Sequence, residues 1–305
     1  MGDTTKKKSA YIKDKIKIIH VLYSFIGYLT FISVNLVLIA FIPLILIISL
    51  IFDRDKVLFS YAIKIFYRIF YFLNFPQRHK INMNGLKKPQ IGQRRIYILN
   101  HASIFDVILM SMLPGAIKGV MKESYVKLPL IGWIAVISGN IILKEYMDAG
   151  EQYDFFVKLQ EKLERGIPIV IYPEGTRSKN GKIAKFYDGA FKLALDAKAD
   201  IVPVVLDTWN VIRPGAYWIR DVITSFEVLD TIPYDEIKER SYRENAKIIR
   251  TMMIKGLLDL RDKRRSSEKN YYRKADLYEQ IDNEMREEYR ELEKKYFYEI
   301  EKAKS

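Results

Sequence analysis

One run of residues constrains this chain before anything else. Positions 18 to 52, IIHVLYSFIGYLTFISVNLVLIAFIPLILIISLIF, carry no formal charge apart from what His20 can hold. As a straight helix such a run extends roughly 50 Å, well past a hydrocarbon core of about 30 Å. It is too long for a cleaved signal peptide, and no small-residue cleavage site comes after it. Two membrane arrangements remain. Either Val34 to Phe52 crosses alone, or the run doubles back near Ser33 to Asn35 as a shallow hairpin. The preceding seventeen residues are polar and include Lys6, Lys7, Lys8, Lys13, Lys15 and Lys17. The positive-inside tendency keeps such a segment cytoplasmic, and a hairpin would leave the rest of the chain on the same face. A membrane location with a cytoplasmic-face, monotopic hairpin is therefore the expectation.

Residues 56 to 75 are aromatic on most faces, with Lys64 and Arg68 four apart on one helical side. That pattern predicts a helix at the membrane interface whose two cations reach headgroups. Over the whole chain hydrophobic residues make up 49% and charged residues 29%, with a formal net charge of +13. Global disorder is thereby excluded, and the positive balance favours an anionic membrane face, nucleic acid or phosphorylated small molecules. The absence of cysteine removes disulfides, thiolate nucleophiles and Cys-based zinc sites. Three histidines, His20, His79 and His101, are the only imidazoles available.

From Arg95 to Thr231 short β-branched runs alternate with helical stretches. RIYIL (95–99), IKGVM (117–121), IVIY (169–172) and IVPVVL (201–206) predict buried strands, and 103–112, 149–164 and 189–198 predict helices. TSFEVL (224–229) predicts a strand at the sheet edge. This alternation predicts an α/β fold class, a mostly parallel twisted sheet flanked by helices, with the N-terminal membrane hairpin and a C-terminal helical tail. The expected domains are membrane-anchoring helices over 1–75, an α/β catalytic domain over 76–233, a docking helix over 234–262 and a charged helical tail over 263–305. The tail, mostly Lys, Arg, Glu and Tyr, reads as solvated or partner-seeking, its partner unknown.

Chemistry concentrates at two strand ends. Asn100-His101-Ala102-Ser103-Ile104-Phe105-Asp106 comes directly after the first buried strand, with Ser103 placed to cap a helix. Carboxyl ends of strands are where ligands bind in open α/β sheets. Across that turn Asp106 can hold one ring nitrogen of His101 while the other takes a proton. By spacing alone, a structural His–Asp capping pair reads as well. Tyr172-Pro173-Glu174-Gly175-Thr176-Arg177-Ser178 comes after another buried strand. Arg177 offers a planar fork suited to phosphate, Glu174 a hydrogen-bond acceptor for a substrate hydroxyl, and Gly175 room for close backbone approach. The plain alternative is a helix N-terminus bearing a surface salt bridge.

Together, HxxxxD and PEGTRS resemble the glycerophospholipid acyltransferase family, most closely its lysophosphatidate-type (1-acyl-glycerol-3-phosphate) members, from about Arg95 to Pro203. Ile201-Val202-Pro203-Val204-Val205 resembles the family's apolar-proline block, and Lys122-Glu123 with Pro129 and Gly132 resembles the segment between its first two motifs. The resemblance implies that His101 and Asp106 are the catalytic pair. It makes Glu174, Gly175, Thr176, Arg177 and Ser178 the acceptor-binding block, with Lys122 and Lys144 as further substrate-binding candidates. It implies an O-acyltransferase of phospholipid biosynthesis that moves an acyl group from acyl-CoA or acyl-carrier protein onto lysophosphatidate to make phosphatidate. No cofactor and no metal are expected.

Two positions depart from the pattern. Lys144-Glu145 stand where the family carries a phosphate-binding arginine, and Asp188 replaces a lysine before Gly189. Both lower the positive charge near the headgroup site, which keeps another lysolipid or glycerol-type acceptor open as an alternative. An acyl-enzyme route lacks a cysteine or a GxSxG elbow, and a metal route lacks an HExxH pair. A basic nucleic-acid binder lacks any compact signature, so no nucleic-acid partner is expected. A non-enzymatic membrane scaffold is the remaining, more remote class. His20 is expected in the membrane segment and His79 in a headgroup-facing loop.

Overall fold

The computed structural model describes residues 17–53, 55–73, 79–82, 86, 92–129, 131–212, 216–220, 224–267 and 275–304. The lysines at positions 6 to 15 lie outside these. Helix α1 (Ile18–Phe52) runs without interruption. The reversal expected near Ser33 to Asn35 does not occur there, and the amide of Asn35 bonds back to its own helix. Asn35 Nδ2 donates to the Phe31 carbonyl at 2.7 Å, and Ser24 Oγ donates to that of His20 at 2.6 Å. The chain turns at Asp53 to Lys56 instead. There the Asp53 carboxylate caps α2 (Val57–Leu73), accepting from the N–H groups of Val57 and Leu58 at 2.8 and 2.7 Å. The hairpin is thus α1 against α2, with Phe31 meeting Phe70 edge-on at 5.6 Å.

The two cations of α2 part company. Arg68 is exposed, but Lys64 is buried and its Nζ donates to the carbonyls of Leu113 and Gly115. Lys64 therefore locks α2 onto the α/β domain rather than reaching a headgroup.

Seven strands form one sheet among the described residues: β1 (His79–Asn82), β2 (Arg95–Leu99), β3 (Lys118–Lys122), β4 (Ile141–Leu143), β5 (Ile169–Ile171), β6 (Asp200–Asp207) and β7 (Thr224–Val228). Their order is β1-β7-β6-β2-β5-β3-β4. All neighbours pair parallel except β6 with β7. The strands read from the sequence are all present. β7 lies one place inside the edge, because His79 sits in β1 rather than in a loop. Strand periodicity divides the core. Ile96, Ile98, Ile201 and Val205 face one hydrophobic cluster, while Tyr97, Leu99, Val202, Val204 and Leu206 face the other.

The remaining helices are α3 (Asp106–Leu109), α4 (Ile131–Ile137), α5 (Ala149–Glu164), α6 (Gly189–Asp196), α7 (Tyr234–Ile237), α8 (Tyr242–Ser267) and α9 (Ala275–Lys304). α5 opens with a complete capping box between Asp148 and Glu151. The C-terminal tail corrects its reading. α8 continues past 262, and α9 docks on the α/β domain with Tyr278, Ile281, Asp282 and Met285 buried.

Candidate active site

Strand β2 ends at Leu99, and Asn100 fixes the turn after it. Its side chain donates to the Leu206 carbonyl at 2.9 Å and accepts from the Leu206 N–H at 2.7 Å, tying the turn to β6. His101 then lies 2.8 Å from Asp106 through Nδ1. The same Asp106 oxygen accepts from the N–H groups of Ala102 and Ser103 at 2.6 and 2.8 Å, and its second oxygen accepts from the Thr208 hydroxyl. Asp106 is fully buried, while the His101 side chain keeps 16% of its surface open. The contact to Asp106 runs through Nδ1, which leaves Nε2 on the open side of the ring. Among the described residues Nε2 has no hydrogen-bond partner. Ser103 does not cap the helix: α3 begins at Asp106, whose carboxylate reaches back to the turn instead.

The second motif clasps the first. His101 donates its N–H to Glu174 Oε1 at 2.7 Å, and the His101 carbonyl accepts from the Ser178 N–H at 2.7 Å. The other Glu174 oxygen accepts from the Ala184 N–H at 2.8 Å. Glu174 is only 4% exposed, so it braces the histidine turn and does not face a substrate hydroxyl. Burial pushes its carboxyl up to about 7, against the pull of those two N–H groups. Ser178 is likewise buried, its hydroxyl donating to the Lys182 carbonyl at 2.7 Å. Gly175 has φ +64°, and a Cβ there would sit 2.9 Å from the Tyr187 ring, so the turn needs glycine.

Thr176 and Arg177 are the members of that block left exposed, and among the described residues Arg177 has no ion-pair partner. Lys122 and Lys144 stand at the carboxyl ends of β3 and β4, on the same sheet edge as the two motifs. From β2 to β4 is three strand spacings, about 14 Å. Lys122 is exposed. Lys144 is engaged with Glu151 of the α5 capping box at 2.5 Å, which offsets the charge it could offer an anion. Two contributors escaped the sequence reading. Tyr172 packs its ring on His101, centroids 4.4 Å apart, and Thr208 anchors the far side of Asp106. Thr208 lies 102 positions from its partner, so no local spacing could have revealed it.

Against known proteins, residues 80–207 match the family model described as Acyltransferase. Over 137 residues the chain is 34% identical to the chloroplastic 1-acyl-sn-glycerol-3-phosphate acyltransferase LPAT1 of Arabidopsis thaliana, a match covering 45% of this chain and 38% of that one. It is 29% identical to a 1-acyl-sn-glycerol-3-phosphate acyltransferase of Haemophilus influenzae, covering 55% and 70%. Among the most similar relatives, the chain thus spans less than half the length of the plant protein. The crystal structure of the 1-acyl-sn-glycerophosphate acyltransferase PlsC from Thermotoga maritima superposes with a TM-score of 0.62 at 20% identity, covering 80% of this chain and 96% of that one. That likeness establishes a shared fold.

Proposed function

We propose that this chain, whose residues 80–207 match the Acyltransferase family model, transfers a fatty acyl group from a thioester donor, acyl-CoA or acyl-carrier protein, to the free hydroxyl of lysophosphatidate. The observation that carries the reading is the half-open His101 ring, locked through Nδ1 to a buried Asp106 and left bare at Nε2. Nε2 takes the proton of the acceptor hydroxyl as the oxygen attacks the thioester carbonyl. The tetrahedral oxyanion collapses, the carbon–sulfur bond breaks, and the same proton passes from Nε2 to the departing thiolate. Asp106 stabilises the imidazolium between those two events. The N–H groups of Thr176 and Arg177 make no hydrogen bond among the described residues, and they lie in the turn clasped to His101. They are the oxyanion donors this reading favours. Arg177 receives the acceptor phosphate as a bidentate fork, with Lys122 as a second charge along the sheet edge. No metal or cofactor enters the step.

The membrane arrangement supports this reading. α1 is long and apolar enough to cross a bilayer, yet it is tied to the catalytic domain at both ends. Tyr28 donates its hydroxyl to the Tyr217 carbonyl at 2.5 Å. At the other end Asp55 pairs with Lys162 and Arg165 of α5 at 2.5 and 2.8 Å. Those ties are about 40 Å apart along a helix, more than the hydrocarbon thickness. A helix fastened at both ends to one polar domain lies in a leaflet rather than across the bilayer. Val34 of α1, with Tyr67 and Phe70 of α2, shares a hydrophobic cluster with Phe105 beside Asp106, which supports a catalytic turn close to the lipid surface. The face is the cytoplasmic one, where acyl carriers are found.

The test is transfer from a long-chain acyl-CoA, and separately from acyl-carrier protein, to a panel of lysophosphatidate, glycerol 3-phosphate and lysolipids with uncharged headgroups. Lysophosphatidate should be the fastest acceptor, and Arg177→Lys should raise its KM at least tenfold. An uncharged acceptor preferred over lysophosphatidate sinks the headgroup assignment, and transfer to none sinks the reading.

A further inference from the structure

The family match ends at Asp207, and the catalytic dyad's outermost anchor is the next residue, Thr208. The grip on that anchor comes from the C-terminal helices. Asp207 is clamped by two buried guanidinium groups of α8, Arg261 Nε at 3.2 Å and Arg264 at 2.6 Å. Arg261 is in turn held by Asp282 of α9 at 2.6 Å, and it also donates to the Gly181 carbonyl at 2.9 Å. Arg265 closes on the other oxygen of Asp282. On the far side of Thr208, Trp209 meets Tyr278 of α9 edge-on at 5.7 Å. Three consecutive residues are thus gripped: 207 by α8, 209 by α9, and 208 between them, bonded to Asp106.

A second arm reaches the other half of the site. Glu288 of α9 pairs with Arg250 of α8 at 2.6 Å. Arg250 donates to the carbonyls of Ile183 and Ala184, each at 2.7 Å. Ala184 is the residue whose N–H holds Glu174, which holds the backbone of His101. Lys182 of the same loop pairs with Glu284 of α9. One helix therefore braces both supports of the dyad, Thr208 behind Asp106 and Glu174 behind His101.

We propose that α9 is a positioning element of the active site, acting through Asp282–Arg261–Asp207 on Thr208 and through Glu288–Arg250 on the 183–184 carbonyls. The charges of the tail are chosen for this grip. Asp282 has no exposed surface and Arg261 has 2%, and burying an Arg–Asp network is not a cheap way to stabilise a helix pair when apolar residues would pack as well. What such a network supplies is a fixed geometry for the groups at its end, here the Asp106–His101 pair. A displacement of about 1 Å at such a pair is enough to lower turnover by roughly a hundredfold.

The proposal rests on acyl transfer by His101, and its test separates the two. In the full chain, kcat and KM are measured for the parent, Asp282→Asn, Thr208→Val, the double variant, and Ile281→Ala. The last removes buried α9 packing and leaves every bond of the two ionic arms in place. Assays run well below the melting temperature of every variant. D282N is expected to lower kcat at least tenfold with KM for both substrates within twofold of the parent. D282N in the T208V background should cost less than threefold more, because both act on one carboxylate. I281A should keep the parent kcat. Parent-like kcat in folded D282N, or full additivity with T208V, overturns the proposal while leaving His101 chemistry standing. A parent chain without transferase activity overturns both. Should D282N fail to fold, Glu288→Gln on the more exposed arm decides: at least a threefold loss of kcat supports the grip, and an unchanged kcat refutes it.

Discussion

Asp106 Oδ2 takes the ring N–H of His101 and two backbone N–H groups, and Oδ1 takes the Thr208 hydroxyl. Such a carboxylate has no freedom to rotate away from the imidazole. Thr208→Val deletes one donor without changing side-chain shape, and turnover is expected to fall about tenfold, whereas Thr208→Ser should stay near the parent. Equal rates in the two variants would show that the hydroxyl is idle. Glu174 gives a pH signature. Its folded-state value of about 7 lies above the ordinary 4.5, so the folded chain holds that proton more tightly than the unfolded one. Stability relative to Glu174→Gln should therefore decline as pH rises from about 4.5 to about 7 and level off beyond. Unfolding midpoints of the two chains across that range check it, and a gap that widens in the parent's favour would contradict the assignment. Sequence spacing exposed His101, Asp106 and Arg177, because each sits in a short segment just past a strand. It misassigned Glu174, because residue type cannot say whether a carboxylate turns toward substrate or toward a neighbouring backbone N–H.

At the scale of elements, the strands were legible because their side chains alternate between two cores. β6 is the clearest case, a run of apolar residues buried on both faces. β1 was not, since four residues with His79, Lys80 and Asn82 carry no apolar alternation in the sequence. The reversal of α1 was misplaced for a related reason. Asn35 looks like a turn residue until the i−4 carbonyl is counted as its partner. The junction of α2 with the sheet depends on Lys118, a wholly buried ammonium that donates to Lys56 O, Ser60 Oγ and Ser138 O at 2.9, 2.7 and 2.6 Å. Lys118→Met strands three acceptors, and the expected loss of stability is about 3 kcal/mol or more. A thermal unfolding midpoint in detergent equal to the parent's would show that the lysine does not hold α2 in place.

For the whole molecule, the hairpin, the sheet and the C-terminal helices make one unit whose apolar helices lie against the catalytic turn. The chain has no cysteine, so single cysteines report its orientation cleanly. Phe52→Cys at the end of α1 and Tyr153→Cys on α5 should both react with a membrane-impermeant maleimide added from the catalytic side of sealed vesicles. Labelling of position 52 only from the opposite side would establish a crossing helix. The tail was read from composition as solvated or partner-seeking, and composition misled because several of its charges are spent on the protein itself, at Asp282, Glu284 and Glu288. The proposed mechanism converges on one ring nitrogen, and the most direct test is acyl transfer to lysophosphatidate by His101→Ala at matched, folded protein. The rate should fall by about 10²- to 10⁴-fold with the unfolding transition unchanged; a rate close to the parent's would contradict the mechanism.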